Sequence, residues 1–516
     1  MPAKPATPWL ALLALMGLGT GLRAWRLGAA ELWLDEACTL DFARLAPGDL
    51  VQTLLTTEGH PPVYYGLMSL LHALVGDALD AETVLRLPSL LAGVALIPLT
   101  FMIARRLSDD RTALAAAAMA ALSPLGIYYS IEARHYALLA ALGSGAWLGL
   151  ERWLRTGDRR ALAMGSLLLG GAAGSHFHGL FLVPIPLLWA AVAAPRDGTL
   201  RRRALQAQLV WGAVAVPVVA LALSRLSGGN PGTAWLESVD PLSALWASLG
   251  TFAGGVTYPY YLGYLGLKEQ PGWMQAGATS LFVLGILLAA APDTTHGRSR
   301  RGALAGLIAL LLIPAVISLV KPVYLPGRYE LAAMPLAQAL VVVGWARGLQ
   351  RLAPPAWAAV GAGALALLLA VPSLADFVPR PTARVWSHVS ERAQVPDEAP
   401  VICTGLTCPV VRWSLRQRGH TGSVSGFPAG VELHPCWTDP VAPDPGAVRL
   451  DAAAVVRKLS ASDVIYVSGV FIEGTTRPDR WESTSRLFEA LRRSGYVAQA
   501  PVVRVPAWIM RWSRGE

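Results

Sequence analysis

The chain has 516 residues, of which 54% are hydrophobic and only 15% charged; its mean hydropathy is +0.45 and its formal net charge +9. Soluble domains carry roughly a quarter charged residues, so this composition excludes an ordinary soluble protein. The basic excess sits in short clusters between apolar runs, such as Arg105-Arg106, Arg159-Arg160, Arg201-Arg202-Arg203 and Arg298/Arg300/Arg301. Clusters of that kind orient membrane proteins, so no nucleic-acid partner is expected.

Apolar runs of roughly 17–25 residues match the length a helix needs to cross a bilayer. The first, Trp9 to Leu22, is followed by Arg23, Trp25 and Arg26, where a signal peptide would need small residues, so it reads as a retained span. Eleven spans are expected: 9–27, 85–106, 112–129, 136–154, 161–176, 178–194, 206–226, 272–291, 302–320, 331–349 and 355–373. With a cytoplasmic N-terminus, the connections at 105–111, 151–160, 195–203, 292–301 and 347–351 all lie inside and all bear arginine. Pro62–Val75 is short for a crossing and would invert the later loops, so it reads as interfacial, as do Ala37–Leu45 and Asp49–Thr56.

After Ser373 the texture changes. Strand-length runs at Pro400–Thr404, Val464–Val467 and Val502–Val505 alternate with amphipathic stretches at Val410–Gln417, Ala452–Lys458 and Trp481–Arg493. The expected fold is therefore mainly α: a polytopic transmembrane bundle over 1–373 with periplasmic interfacial helices, then a small extracytoplasmic α/β domain over 374–516. The chain belongs in the inner (plasma) membrane, among membrane lipids. Of the four cysteines, Cys38 lies in the first loop, and Cys436 could pair with Cys403 or Cys408.

This topology gathers the unusual polar residues on the outer side. Asp35-Glu36 follow the first span; carboxylates at a membrane surface are costly unless paired, solvated or functional, although Asp35 could simply cap a helix beginning at Glu36. His60 precedes two prolines that hold the backbone extended, with Tyr64 and Tyr65 following at headgroup depth. Glu132 and Arg134 lie in YYSIEARHY, where a surface ion pair is the plainer reading. His176 and His178 lie in SHFHG, a spacing that is weak evidence for a metal. Lys321, Arg328 and Tyr329, in KPVYLPGRYE, put cations where positive-inside statistics disfavour them, suiting either an anionic partner or headgroup snorkelling.

Asp-Glu after span one, H-P-P-x-Y-Y (His60–Tyr65), R-x-P-S (Arg86, Pro88, Ser89), Glu-x-Arg-x-Tyr (Glu132–Tyr136), an S-H-aromatic turn and a late Arg-Tyr recur in this order. Over residues 9 to 373 the set resembles the C-type glycosyltransferase superfamily, which includes the protein O-mannosyltransferases and the lipid A aminoarabinose transferases. The resemblance implies inverting transfer of a sugar from a polyprenyl-phosphate donor to a lipid, glycan or protein acceptor outside the cytoplasm. It further implies Asp35 as base with Glu36 and Glu132 as companion carboxylates, and His60, Arg134, Lys321, Arg328 and Tyr329 about the donor phosphate. Tyr64, His176 and His178 would contact substrate; a divalent metal is possible, with its ligands open. The competing readings are a glycan ligase handling lipid-linked sugars and a transporter or flippase. A transporter places ionisable groups near the midplane on broken helices, whereas most spans here are uncharged in their middles.

Overall fold

The computed structural model describes residues 8–515 except 26, 57–59, 81, 194–195, 228–239, 255–270, 293–294, 378–384, 405–406, 428–444, 460, 471–481 and 505–506. The first helix, α1 (Pro8–Ala24), is followed by three short helices, α2 (Leu34–Ala43), α3 (Pro47–Thr56) and α4 (Pro62–Val75). The long α5 (Glu82–Leu107) leads to α6 (Asp110–Leu122), α7 (Pro124–Ser130), α8 (Tyr136–Thr156), α9 (Arg159–Ser175), α10 (Ile185–Ala193) and α11 (Gly198–Ser227). Next come α12 (Pro241–Phe252), α13 (Gly272–Ala290), α14 (Gly297–Ile317), α15 (Tyr329–Leu349) and α16 (Pro355–Phe377).

Among the described residues six helices are long and apolar enough to cross a membrane, or seven if the bent pair α6–α7 is one span. That is fewer than the eleven expected, for local reasons. Helices α1 and α9 each stop at 17 residues. The expected span 178–194 folds instead as a 3₁₀ turn, Phe177–Leu182, followed by the nine-residue α10. Pro184 and Pro186 lack the amides that would continue one helix through it. The same effect bends α6 against α7 by 56°: Pro124 cannot donate to Ala120, and Ser123 caps the new helix by accepting from Gly126 N–H at 3.2 Å.

The break is filled by a charge. Arg23, wholly buried at the end of α1, donates to the carbonyls of Ala120 (3.0 Å), Ala121 (2.9 Å) and Gly19 (3.0 Å) and to Ser130 Oγ (3.0 Å). Helix α15 is the buried axis of the bundle, packed by α5, α6, α13 and α16. Small residues permit the close crossings: a Cβ on Gly149 of α8 would meet Gly165 Cα of α9 at 2.8 Å.

Beyond the bundle, α17 (Val385–Arg392) leads into a mixed sheet of β1 (Val401–Thr404), β2 (Val424–Phe427), β3 (Val464–Val470), β4 (Tyr496–Ala498), β5 (Val502–Arg504) and β6 (Ala507–Arg514). The order is β2-β1-β3-β6-β4, with β5 also on β6; β2, β1 and β3 run parallel and β6 antiparallel to β3. Strand alternation splits the core in two. Ile402, Ile465, Val467, Trp508 and Trp512 face α19 (Pro445–Lys458) and α20 (Glu482–Arg493), which follow α18 (Cys408–Gln417). Val401, Cys403, Tyr466 and Ile509 face the other way and share one core with Leu32, Phe42 and Leu54 of the α2–α3 region and Tyr65 and Met68 of α4. The three short helices thus form a floor between bundle and sheet.

One expectation is overturned in this region. Cys403 is bonded to Cys408, so neither pairs with Cys436, which lies outside the described residues; Cys38 is also disulfide-bonded. The turn from β1 into α18 brings Cys403 and Cys408 to a Cα separation of 5.1 Å, within bridging distance.

Candidate active site

Helix α2 begins at Leu34, so Asp35 sits inside its first turn rather than capping a helix from Glu36. An acid there meets the positive end of the helix dipole. Glu36, at the third position, accepts the Trp33 amide at 3.3 Å. Its carboxylate is gripped by Arg86 of α5 through Nε and Nη2, both at 2.7 Å, and accepts the Ala133 amide at 2.8 Å. The remaining donors of Arg86 bind the carbonyls of Leu27 (2.7 Å), Ala30 (3.0 Å) and Glu31 (3.2 Å). One buried pair therefore fastens together the first loop, the start of α5 and the turn before α8.

That fastening fixes Asp35, which is fully buried. Arg328 Nη2 donates to Asp35 Oδ2, and Arg134 Nε lies 3.6 Å from the same oxygen. Asp35 Oδ1 has no hydrogen-bond partner among the described residues. Arg328 also donates through Nε to Tyr136 OH at 2.7 Å, and its guanidinium lies over the rings of Tyr136 (5.0 Å) and Trp33 (5.5 Å). Arg134 Nη1 donates to Tyr65 OH at 3.1 Å. A left-handed turn at Gly327 (φ 76°) delivers Arg328; the Gly327 amide and the Ser248 hydroxyl both donate to the Glu330 carboxylate, which pins the turn.

Asp35 and Arg328 lie 293 residues apart in sequence. The two groups are nevertheless in direct contact. Opposite charges buried in a low dielectric pair when geometry allows. Glu132 stands close by, buried, with Oε2 unpartnered. Burial pushes its carboxyl up to about 8, with Arg328 opposing and Asp35 adding to the rise. Near pH 7 it is mostly protonated and so adds no negative charge opposite the two guanidiniums. The excess positive charge suits an anion.

Beside this pair the histidines converge. His135 stacks on His176 (ring centroids 4.6 Å apart, planes at 24°), and His60 lies 4.8 Å and 5.6 Å from them. Burial holds His135 and His176 well below the usual imidazole range, so both are neutral. One ligand nitrogen from each of His60, His135 and His176 lies within 4.8 Å of the others, a set able to hold a divalent metal ion. Tyr329 joins the cluster at 5.0 Å from His176 and 5.5 Å from His178, and Tyr64 at 5.7 Å from His135.

The structure thus brings together Asp35, Glu36, His60, Tyr64, Glu132, Arg134, His176, His178, Arg328 and Tyr329. Lys321 is partly buried, and no hydrogen bond or ion pair is seen between its side chain and this group among the described residues. Sequence reasoning missed His135, hidden between Arg134 and Tyr136, and the clamp made by Arg86, which stood out only as the start of R-x-P-S.

Residues 59–222 match the model of the family described as dolichyl-phosphate-mannose-protein mannosyltransferase. Among solved structures, ArnT from Cupriavidus metallidurans in the apo state superposes with a TM-score of 0.60 at 16% identity, over 98% of each chain. The same protein bound to undecaprenyl phosphate gives 0.58 at 17%, also over 98% of each chain. The Archaeoglobus fulgidus oligosaccharyltransferase in complex with Zn and sulfate gives 0.51 at 14%, over 89% of this chain and 68% of that one. No curated protein matches. The likeness shows that the chain shares its fold with these proteins.

Proposed function

We propose that this protein is an inverting glycosyltransferase that takes a sugar from a polyprenyl-phosphate donor and passes it to a lipid, glycan or protein acceptor on the extracytoplasmic face. The observation that carries this reading is the buried Asp35 held by Arg328 and Arg134 at the helix ends beneath the sheet. In the reaction the acceptor hydroxyl attacks the anomeric carbon as the bond to the phosphate oxygen breaks, and its proton passes to Asp35. Arg328, with Arg134 behind it, transfers its hydrogen bond from Asp35 to the leaving phosphate and stabilises the charge that develops there.

Glu36 is engaged by Arg86 and Ala133 and acts as a positioning residue. Glu132, protonated near pH 7, offers a hydrogen bond rather than a second charge. His60, Tyr329, Tyr64, His176 and His178 form the wall toward the sugar and phosphate. The arginine-bearing connections support a cytoplasmic N-terminus. In that arrangement residues 1–373 carry the chemistry, and 374–516 form an outer domain above it.

The test is transfer from a lipid-linked sugar by the purified protein. Asp35→Asn should lower the rate by about 10²–10⁴, the scale of losing a general base, while carrier lipid still binds. Arg328→Ala should raise KM as well as lower kcat, because the phosphate is held in ground and transition states alike. Full activity in Asp35→Asn would end the assignment.

A further inference from the structure

We propose that His60, His135 and His176 form a binding site for one divalent transition-metal ion, with a fourth coordination position open toward Arg328. The metal site itself does not depend on the proposed transfer reaction; only the use of its open position does.

The argument begins with an orphaned group. His135 is fully buried, yet neither Nδ1 nor Nε2 has a hydrogen-bond partner among the described residues. Leaving one buried polar atom unpaired costs about 1–3 kcal/mol, and here a single ring carries two. A metal–nitrogen bond would satisfy one of them. The neighbours supply what such a bond needs: two further imidazoles with ligand nitrogens within 4.8 Å, one from the extended His-Pro-Pro segment and one from the end of α9. Three neutral imidazoles with an open position match the donor set of catalytic zinc sites.

The surroundings define what the open position would take. The charged groups that act on the histidines are Arg134 and Arg328, both already facing Asp35. A cation added beside them would leave the region strongly positive, so its fourth ligand would be an anionic oxygen. On the proposed function that oxygen is the donor phosphate, shared between the metal and Arg328. His176 is the ligand with a competitor: its Nδ1 accepts the His178 amide at 3.1 Å. Coordination would draw that lone pair away or turn the ring over, and His178 stays outside the triad.

Metal binding can be read without any sugar substrate. Purified full-length protein, stripped with chelator and titrated with Co²⁺, should develop the visible bands of a four-coordinate site with three nitrogen ligands at one ion per chain, and Zn²⁺ should displace it. His135→Ala should weaken Co²⁺ binding by more than the roughly 10–100-fold that loss of an outer-shell partner costs. His60→Ala, at a partly exposed position and so gentler on folding, should weaken it comparably. His388→Ala, on α17, should leave it unchanged. Inorganic phosphate should shift the Co²⁺ bands of the wild-type protein if the open position faces an anion. Wild-type protein that develops no such bands overturns the proposal, as does wild-type affinity in a folded His60→Ala variant. Metal binding without transferase activity would overturn the proposed function and leave the site standing.

Discussion

Asp35 and Glu36 are neighbours in sequence with opposite circumstances. Glu36 has its charge met by both nitrogens of an arginine fork and by a backbone amide, whereas Asp35 keeps one oxygen unpaired. On the proposed function Asp35 takes a proton and needs that spare capacity, whereas Glu36, as a positioning residue, does not. Glu132 completes the contrast. Its carboxyl is held near 8 by burial, against an ordinary value of 4.5. The folded protein therefore retains a proton that the unfolded chain gives up, so this stabilisation is complete below about 4.5 and is lost as pH rises through about 8. Above that point a second negative charge stands beside Asp35 and opposes an anionic donor. Transfer should fall as pH rises through about 8. In Glu132→Gln, which is neutral throughout, a pH–rate profile should lack that limb while keeping activity near pH 7. An unchanged limb in the variant would assign it to another group.

At the level of elements, one acidic side chain links two distant parts of the chain. Glu31, four residues before Asp35, accepts the amides of Trp386 (2.9 Å) and Ser387 (3.0 Å) and so caps α17, where the outer region begins. Replacing a capping acceptor costs about 0.5–2 kcal/mol. In Glu31→Ala, hydrogen exchange at the Trp386 and Ser387 amides should quicken; exchange at wild-type rates would mean the contact holds nothing. The elements themselves were largely legible in the sequence. The three short helices α2–α4, the strand runs read at 400–404, 464–467 and 502–505 and the late Arg-Tyr turn all carry local signals in period or punctuation, whereas β2, β4 and β6 carry none that was read. Less legible were features set by partners far along the chain. His135 gains meaning only from His60 and His176, brought in by other elements, and nothing in its spacing announces them. Arg86 reads only as the start of R-x-P-S until its fork is seen on Glu36. The broken segment 177–193 looks continuous in hydropathy because proline interrupts hydrogen bonding without making a run polar.

Across the whole molecule, the short helices α2–α4 belong to two cores. Through Asp35 and Glu36 they meet the bundle, and through Leu32, Phe42, Leu54 and Tyr65 they share the apolar face of the sheet. Site and sheet therefore share one side of the bundle, whichever way it is inserted. With a cytoplasmic N-terminus, reporter fusions after Arg106, Arg160, Arg203, Arg301 and Arg351 should read as cytoplasmic, and a fusion within 374–516 as external. A cytoplasmic signal from that last fusion would reverse the proposed orientation and put the site on the wrong side for an extracytoplasmic acceptor.

Arg23 bears on how the molecule is built during synthesis. A ribosome delivers α1 first, with its arginine near the end, while Ala120, Ala121 and Ser130 are still about a hundred residues from emerging. Until they arrive the guanidinium has only Gly19 of its own helix, and a cation left in lipid is costly. The newborn first helix must therefore wait at the membrane surface or beside the insertion machinery. It can settle only when the helix pair broken at Pro124 follows it in and offers the carbonyls that proline left open.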